Sequence, residues 1–144
     1  MNRFVEAARG WIGTPYVHQA STRGAGCDCL GLVRGIWREV LGEEPEDVPA
    51  YTPDWSEPQR DEVLLRAAQR RLRAVPAGRD RRPGEVIVFR MRDGGVAKHL
   101  GILSRAGARP AFIHAYQGQG VVENAFSAPW ARRVAARFDF PTEV

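Results

Sequence analysis

Cysteine and histidine are the side chains in this sequence that could carry out nucleophilic chemistry, and the chain has two cysteines and three histidines. Cys27 and Cys29 are separated by one residue, whereas His99 and His114 lie far downstream in segments of alternating apolar pattern. The third histidine, His18, lies in a polar segment that is predicted to be a loop, so we expect it at the surface. A thiolate can attack a carbonyl carbon while one imidazole takes and returns the proton and a further polar group fixes the tautomer of that imidazole. These residue types therefore predict an acyl-transfer reaction that uses one cysteine and both downstream histidines.

Cys29 falls in the first turn of a predicted helix. Asp28 is a good helix-starting residue, apolar side chains recur behind it at helical spacing, and the helix is predicted to run to Leu41 and stop at Gly42. The first N–H groups of a helix lack internal partners and carry the positive end of the macrodipole. We therefore expect the pKa of Cys29 to be lowered from roughly 8.5, and the same N–H groups to hold an oxyanion. The alternative is an unreactive buried thiol, which is also what we expect of Cys27 in preference to a redox partner.

His99 and His114 are predicted to face each other across a β-hairpin. If the turn is centred between Ala106 and Gly107, the two histidines are directly opposite, with Cβ atoms roughly 5 Å apart. An unpaired residue in the loop would shift that register. Gly101, two residues beyond His99 on the same face, would leave room for a neighbouring element. In this arrangement His99 is the better base and His114 the better orienting group.

The elements that must hold these residues are three helices followed by about five strands. Asn2 is predicted to cap a first helix that ends at Gly13, and Ser56 to cap a third helix over 57–73. The strands are predicted at 85–91, 96–104, 111–116, 121–125 and 134–140. Helices followed by an antiparallel meander are the α+β pattern, and residues 1–144 are interpreted as one domain.

Two polar segments are assigned to the surface. Residues 43–58 contain four prolines and are predicted to form a loop that exposes Tyr51 and Trp55 and forms a wall of a groove. Glu123 and Asn124 could supplement His114, but an exposed strand end is the simpler interpretation. The groove itself is not readable from the sequence.

The composition is that of a soluble globular protein, with 44% hydrophobic and 26% charged residues. No apolar run approaches the roughly 20 residues of a membrane span, and no signal-peptide core follows the N-terminus. We therefore expect synthesis and folding in the cytoplasm and no membrane insertion. The net charge of +4 suits an anionic partner such as nucleic acid, a bacterial envelope or a phosphate-rich polymer. A solvated arginine-rich surface explains that charge equally well.

These features together resemble the NlpC/p60 family of papain-like cysteine peptidases, which cut the peptide stems of bacterial peptidoglycan. The segments that carry the resemblance are GTPY at 13–16, GCDCLGLV at 26–33, PGEVIVF at 83–89, HLGI at 99–102 and FIHA at 112–115. The resemblance implies a central helix packed on an antiparallel sheet, with Cys29 as nucleophile, His99 as base and His114 as third polar residue. It also implies Tyr16 beside the thiol, with Tyr16 and Asp28 positioning the substrate and the oxyanion. No cofactor and no metal are expected.

Leu30 departs from the family pattern, which usually places serine after the nucleophile. The departure bears on how the substrate's peptide end is held, and therefore on which bond is cut. The variant CDCLGL, preceded by HQA at 18–20 and without a wall-binding repeat, resembles the branch encoded with phage tails and gene transfer particles. We therefore expect a virion component that contacts tail or baseplate hub proteins and opens the cell wall from the wall or periplasm, without binding nucleic acid.

Three alternatives stay open at this stage. A zinc module could use Cys27, Cys29, His99 and His114, although two cysteines two positions apart at a helix start tend to project in different directions. A structural tail component could keep the fold without catalysis. An amidase or acyltransferase could use the same catalytic residues through the same thioester.

Overall fold

The computed structural model describes residues 2–45, 51–52, 55 and 60–141. The helices in this part of the chain are α1 (Arg3–Gly10), α2 (Cys29–Val40), α3 (Val63–Arg71) and α4 (Ala128–Ala131). The strands are β1 (Ser21–Thr22), β2 (Gly26–Cys27), β3 (Arg73–Ala74), β4 (Val86–Arg90), β5 (Ala97–Arg105), β6 (Ala111–Tyr116), β7 (Gly120–Ala125) and β8 (Val134–Asp139). The α+β prediction is confirmed.

Six strands form one sheet in the order β3-β8-β4-β5-β6-β7, and β1 and β2 pair separately. The five predicted strands are all present in this sheet and end within one residue of the predicted bounds. The simple meander is wrong, because the short helix α4 follows β7 and the chain then returns so that β8 pairs with β4. The edge strand β3 was also not predicted, since two residues directly after a helix leave no alternating pattern.

The helix α2 packs on one face of the sheet. Leu32 and Ile36 of α2 are fully buried in the same cluster as Val88, Ile102 and Ile113 of the central strands. Apolar residues that alternate with these fill a second cluster: Ile87, Phe89, Leu103, Phe112 and Phe126. Both sheet faces are therefore covered, and their burial holds the strands beneath the start of α2.

Two glycines of α2 admit close neighbours. A Cβ at Gly35 would lie 2.0 Å from the Trp11 ring, and a Cβ at Gly31 would lie 1.9 Å from the carbonyl oxygen of Ala20. Any larger residue at these positions would displace the first helix or the loop before β1. The spacing of these glycines thus fixes how the N-terminal segment sits against the nucleophile helix.

The predicted caps of the first two helices are present. Asn2 accepts hydrogen bonds from the N–H groups of Phe4 and Val5 at 2.9 and 3.1 Å, and Asp28 caps α2. The first helix ends at Gly10 instead of Gly13, because the chain turns over the next three residues.

The third helix begins at Val63, so the prediction that residues 60–62 are helical is wrong. Arg60 has a positive φ of 55° and Glu62 has a ψ of 57°, and neither is the backbone conformation of a right-handed α-helix. The predicted cap and residues 57–59 lie outside the described residues, as does much of the proline-rich loop.

Candidate active site

Cys29 is the first residue of α2, and only 4% of its surface is exposed. The Asp28 side chain fixes this start, because its Oδ1 accepts the N–H of Gly31 at 2.7 Å. The backbone N–H groups of Leu100, Leu30 and Cys29 itself hydrogen-bond the thiol. Contact with Leu100 brings the thiol to β5, beside the preceding residue, His99.

The Cys29 thiol is protonated in this environment. Burial and, second to it, the Asp28 charge raise its pKa to about 12, and the surrounding N–H groups oppose these two effects only in part. The predicted lowering of the pKa is therefore wrong. The helix N-terminus is present as expected, but the cost of burying a thiolate beside a carboxylate outweighs it.

β5 and β6 pair in a different register from the one predicted. Ile102 lies opposite Ile113, and an irregularity between Leu103 and Arg105 shifts the hairpin. Continued by one residue, this register sets Gly101 opposite His114, so the prediction that the two histidines are directly opposite is wrong. The cause is the position of the turn: Arg105 lies opposite Ala111, so the turn is centred at Ala108 instead of between Ala106 and Gly107, and the irregularity moves the register back by only one residue.

His99 and His114 are nevertheless in contact through a diagonal pair. Nε2 of His99 lies 2.7 Å from Nδ1 of His114, and both side chains are buried. Diagonal neighbours on one sheet face are within reach of long side chains. The structure thus joins the two histidines as the sequence predicts, by a different geometry.

A third side chain extends the contact. Nε2 of His114 lies 2.6 Å from Oδ1 of Asn124 on β7. Asn124 was interpreted as an exposed strand end, which is wrong, because its amide ends a hydrogen-bonded line with His114 and His99. The signal in the sequence was weak: the alternation of β7 puts Asn124 on the same face as Val122, the residue opposite His114.

Both imidazoles are neutral. Burial and, second to it, the neighbouring His114 lower the pKa of His99 to about 3. Burial also lowers the pKa of His114, although its hydrogen bond to Asn124 acts in the opposite direction. The resting site therefore holds a neutral thiol and two neutral imidazoles.

Aromatic rings enclose the histidine pair. The Trp130 ring, carried by α4, lies 5.2 Å from the His114 ring and 6.0 Å from the His99 ring between centroids. The rings within about this distance of one or both histidines are Phe89, Phe112, Tyr116 and Trp130. This enclosure is the physical cause of the low pKa of both imidazoles.

Asp28 has a second role beyond capping α2. Its Oδ2 accepts the N–H of Gln19 at 2.7 Å and the hydroxyl of Tyr51. His18 lies against the same carboxylate, with its Nδ1 3.7 Å from Oδ2. Asp28 therefore ties two loops to the start of the nucleophile helix, a role that its position in the sequence did not indicate.

Tyr51 and Trp55 are not the exposed aromatics that were predicted. The two rings stack at 4.1 Å between centroids, Trp55 is only 5% exposed, and Tyr51 is half-buried. Burial, followed by the hydrogen bond to Asp28, raises the pKa of Tyr51. Tyr51 and Trp55 are therefore packed against each other and form one wall of the site.

Tyr16 lies close to the nucleophile, as predicted. It forms an isolated bridge with Cys27, and the pKa of its hydroxyl is raised by burial and then by Cys29 and Asp28. Cys27 itself is fully buried, and burial raises the pKa of its thiol to about 12. Cys27 is therefore packed in the core with its proton in place, as predicted.

Leu30 faces an apolar cavity of about 150 Å³ between α2 and α3. Leu100 lines the same cavity, so the residues that follow Cys29 and His99 both contribute to it. Tyr51 and Trp55 form another side of the wall. The leucine after the nucleophile thus extends an apolar surface next to the reacting groups.

Neither a metal site nor a membrane-spanning helix is found in the part of the chain that the structure describes. Within residues 2–45, 51–52, 55 and 60–141, no three or more His, Cys, Asp or Glu side chains come together in a way that could hold a metal ion. The zinc-module alternative therefore gains no support there. None of the helices in the same ranges has the length and apolar character needed to cross a bilayer.

Comparison with known proteins gives one family. Residues 13–137 match the profile described as the NlpC/P60 family. These residues include Tyr16, Asp28, Cys29, His99 and His114. No curated protein sequence matches the chain.

Solved structures share the fold at low sequence identity. The NlpC/p60 domain of the peptidoglycan hydrolase SagA is 22% identical with a TM-score of 0.63, covering 97% of this chain and 100% of that one. An NlpC/P60 family protein from Bacillus cereus is 20% identical with a TM-score of 0.61, covering 94% of this chain and 38% of that one. A protein from Staphylococcus aureus described as similar to lipoprotein, NLP/P60 family, is 16% identical with a TM-score of 0.61, covering 97% of this chain and 41% of that one. The chain thus spans less than half the length of the last two proteins.

Proposed function

The chain belongs to the NlpC/P60 family, and on that premise we propose that it is a cysteine peptidase that hydrolyses the peptide stems of bacterial peptidoglycan. The observation that carries the proposal is the buried contact of His99 with His114, made from a strand whose next residue, Leu100, hydrogen-bonds the Cys29 thiol through its backbone N–H. The SagA domain, named as part of a peptidoglycan hydrolase, has the same fold over its full length. Peptidoglycan stems are thus the substrate class that the fold relatives suggest.

The reaction begins with a neutral Cys29 thiol and a neutral His99 imidazole. His99 uses Nε2 for its contact with His114, so its Nδ1 is the nitrogen left to take the thiol proton. Because the pKa of the thiol is raised and that of the imidazole is lowered, a stable ion pair is unfavourable in the resting site. Proton transfer from Sγ to Nδ1 therefore accompanies the attack of sulfur on the substrate carbonyl carbon.

The remaining steps follow from the same two groups. The carbonyl oxygen becomes an oxyanion, which the N–H groups of Cys29 and Leu30 stabilise in place of their hydrogen bonds to the resting thiol. The C–N bond then breaks, the leaving amine takes the proton from His99, and a thioester to Cys29 remains. Water next attacks the thioester, giving one proton back to His99, and the carboxylic product leaves as the proton returns to sulfur.

His114 keeps His99 oriented during these steps. Nδ1 of His114 accepts the Nε2–H of His99, which holds the ring plane and stabilises the imidazolium as it forms. Tyr16 and Asp28 lie near the nucleophile, and Asp28 ties two loops to the start of its helix. Their proposed role is to position the substrate around the thiol.

We also propose that the enzyme is a component of a phage-like tail that acts in the cell wall or periplasm after synthesis in the cytoplasm. The support is the sequence variant CDCLGL and its resemblance to peptidases encoded with tails and gene transfer particles. The partners would be tail or baseplate hub proteins. Mass spectrometry of purified particles tests this: peptides of the chain in the particle fraction support it, and detection only in host cytoplasm contradicts it.

The peptidase proposal is tested by release of peptide fragments from purified peptidoglycan. The wild type, Cys29→Ala, Cys27→Ala and His99→Ala are compared, with folding checked by circular dichroism and fragments identified by mass. Cys27→Ala is the matched control, because it removes an equally buried thiol two residues away. Activity confined to the wild type and Cys27→Ala supports the proposal, and the masses give the bond. Folded wild type that releases nothing, alone or in its particle, overturns it.

A further inference from the structure

Asn124 lies at the end of a line of side chains that crosses three neighbouring strands. His99 is on β5, His114 on β6 and Asn124 on β7, and the two contacts are 2.7 and 2.6 Å long. The register pairs His114 with Val122, so Asn124 reaches the imidazole diagonally. Both links of the line are therefore diagonal contacts on one sheet face.

The amide oxygen determines where the protons lie. Oδ1 of Asn124 has no hydrogen to give, so Nε2 of His114 must carry one to make the contact. A neutral imidazole carries only one N–H, so Nδ1 of His114 is an acceptor and receives the Nε2–H of His99. Nδ1 of His99 is then unprotonated, which is the state that a general base requires.

The opposite amide orientation would reverse both rings. With Nδ2 of Asn124 facing His114, that amide would donate to Nε2, His114 would donate from Nδ1, and His99 would carry its hydrogen on Nδ1. Nδ1 of His99, the nitrogen proposed to take the thiol proton, would then be unable to accept it. The direction of one side-chain amide thus selects between an active and an inactive tautomer of a residue two contacts away.

Neutrality of the pair is what makes this selection effective. The pKa values of both histidines are lowered by burial, so neither ring carries a second proton that would remove the distinction between tautomers. The charged neighbour on the same strand, Glu123, is bonded to Arg9 and Ser104 and does not compete for His114.

We propose that Asn124 is a positioning residue that sets the tautomers of His114 and His99 and thereby makes His99 Nδ1 the base. The catalytic part of this inference rests on the proposed peptidase function, whereas the tautomer part does not. Asn124 touches neither substrate nor thiol and acts only through His114.

The first test reads the tautomers directly. Histidine ¹⁵N shifts are measured by NMR at neutral pH for the wild type, Asn124→Leu, Asn124→Asp and Glu123→Gln, with the partly exposed His18 as internal reference. We expect the Nε2–H tautomer at His99 and His114 in the wild type, in Asn124→Asp, which keeps an acceptor oxygen, and in the control Glu123→Gln. Asn124→Leu, which keeps the branched shape but has no acceptor, should lose that tautomer. A wild type with Nδ1–H at His99, or an unchanged pattern in Asn124→Leu, overturns the proposal.

The second test measures the consequence for the thiol. In a Cys27→Ala background, alkylation of Cys29 by iodoacetamide and kcat and KM on peptidoglycan fragments are compared for the same variants. We expect Asn124→Leu to lower the alkylation rate and kcat about 10-fold or more with KM nearly unchanged, and Asn124→Asp to recover most of both. A wild type with the expected tautomers and no hydrolysis would contradict the peptidase function and leave the tautomer role standing. Full kcat in Asn124→Leu would overturn the positioning role.

Discussion

Gly101 stands opposite His114 in the β5–β6 register, and this relationship is what allows His99 to reach His114 diagonally. A Cβ at Gly101 would lie 3.4 Å from the Cβ of His114 and 2.8 Å from Cδ2 of Phe112. Any side chain at this position would compete with the two rings for the same space. The histidine contact thus depends on a residue that has no side chain.

We therefore expect Gly101→Ala to weaken both the fold and the site. The added methyl group overpacks a buried position, which should lower the free energy of unfolding by about 1–3 kcal/mol and reduce kcat by displacing His114. Urea unfolding and kcat on peptidoglycan fragments measure the two effects. Gly10→Ala is the control, because its Cβ would meet only the guanidinium of the exposed Arg23, which can move away, so a change within about 0.5 kcal/mol is expected. Equal behaviour of the two variants would refute the packing argument.

His114→Ala should separate catalysis from binding. Without the acceptor at Nδ1, the Nε2–H of His99 is left without its buried partner and the ring loses its orientation. We expect kcat to fall by about 10²–10⁴-fold while KM changes little, because His114 acts on the base and not on the substrate. Tyr116→Phe, which keeps the neighbouring ring and removes only a hydroxyl, should leave kcat close to wild type. A rise in KM at constant kcat in His114→Ala would place this residue in substrate binding instead.

The parts of the site that the sequence predicted are those that depend on local pattern. Asp28 and Cys29 follow from capping rules, and the strands that hold His99 and His114 follow from alternation. The diagonal contact could not be predicted, because the turn is centred at Ala108, and the exact centre of a turn within a loop leaves no pattern in the residue types. The role of Asn124 was not predicted because its contact with His114 depends on the register of a second strand pair, β6 and β7.

The other wrong predictions concern residues that are buried by parts of the chain distant in sequence. Tyr51 looked exposed because it lies in a proline-rich segment, yet it bonds the capping carboxylate of a helix far from it in the sequence. The pKa of Cys29 was expected to be lowered because the helix N-terminus is a local feature, whereas burial, which raises it, depends on the whole sheet. Neither effect leaves a pattern in the residues around the site.

Asp28→Asn should make the nucleophile more reactive and the protein less stable. The Asp28 charge raises the pKa of Cys29, so its removal should lower that pKa and speed alkylation of Cys29 at a given pH in a Cys27→Ala background. The amide has a single acceptor oxygen, so it cannot cap Gly31 and also accept from the Gln19 N–H and Tyr51 as the carboxylate does, which should cost about 1–3 kcal/mol. Alkylation against pH and urea unfolding measure the two effects.

Glu39→Gln is the matched control for that variant. It removes a carboxylate from the same helix, but one that bonds Trp11 and Arg23 at the far end from the thiol. The alkylation profile of Cys29 should therefore be unchanged in Glu39→Gln. A profile that shifts equally in both variants, or that moves to higher pH in Asp28→Asn, would show that Asp28 does not act on the thiol through its charge.

The buried histidines should make folding stability fall in mild acid. Unfolded histidines bind protons below a pKa of about 6.5, whereas in the folded state His99 has a pKa of about 3 and that of His114 is also lowered. The unfolded chain therefore binds more protons, so the stabilisation is complete above pH 6.5 and is lost as the pH falls. Both residues together give a slope of up to about 2.7 kcal/mol per pH unit, measured by urea unfolding between pH 5 and 6, above the range where the carboxylates titrate. His114→Gln should halve this slope, and an unchanged slope would mean that His114 takes up its proton in the folded state.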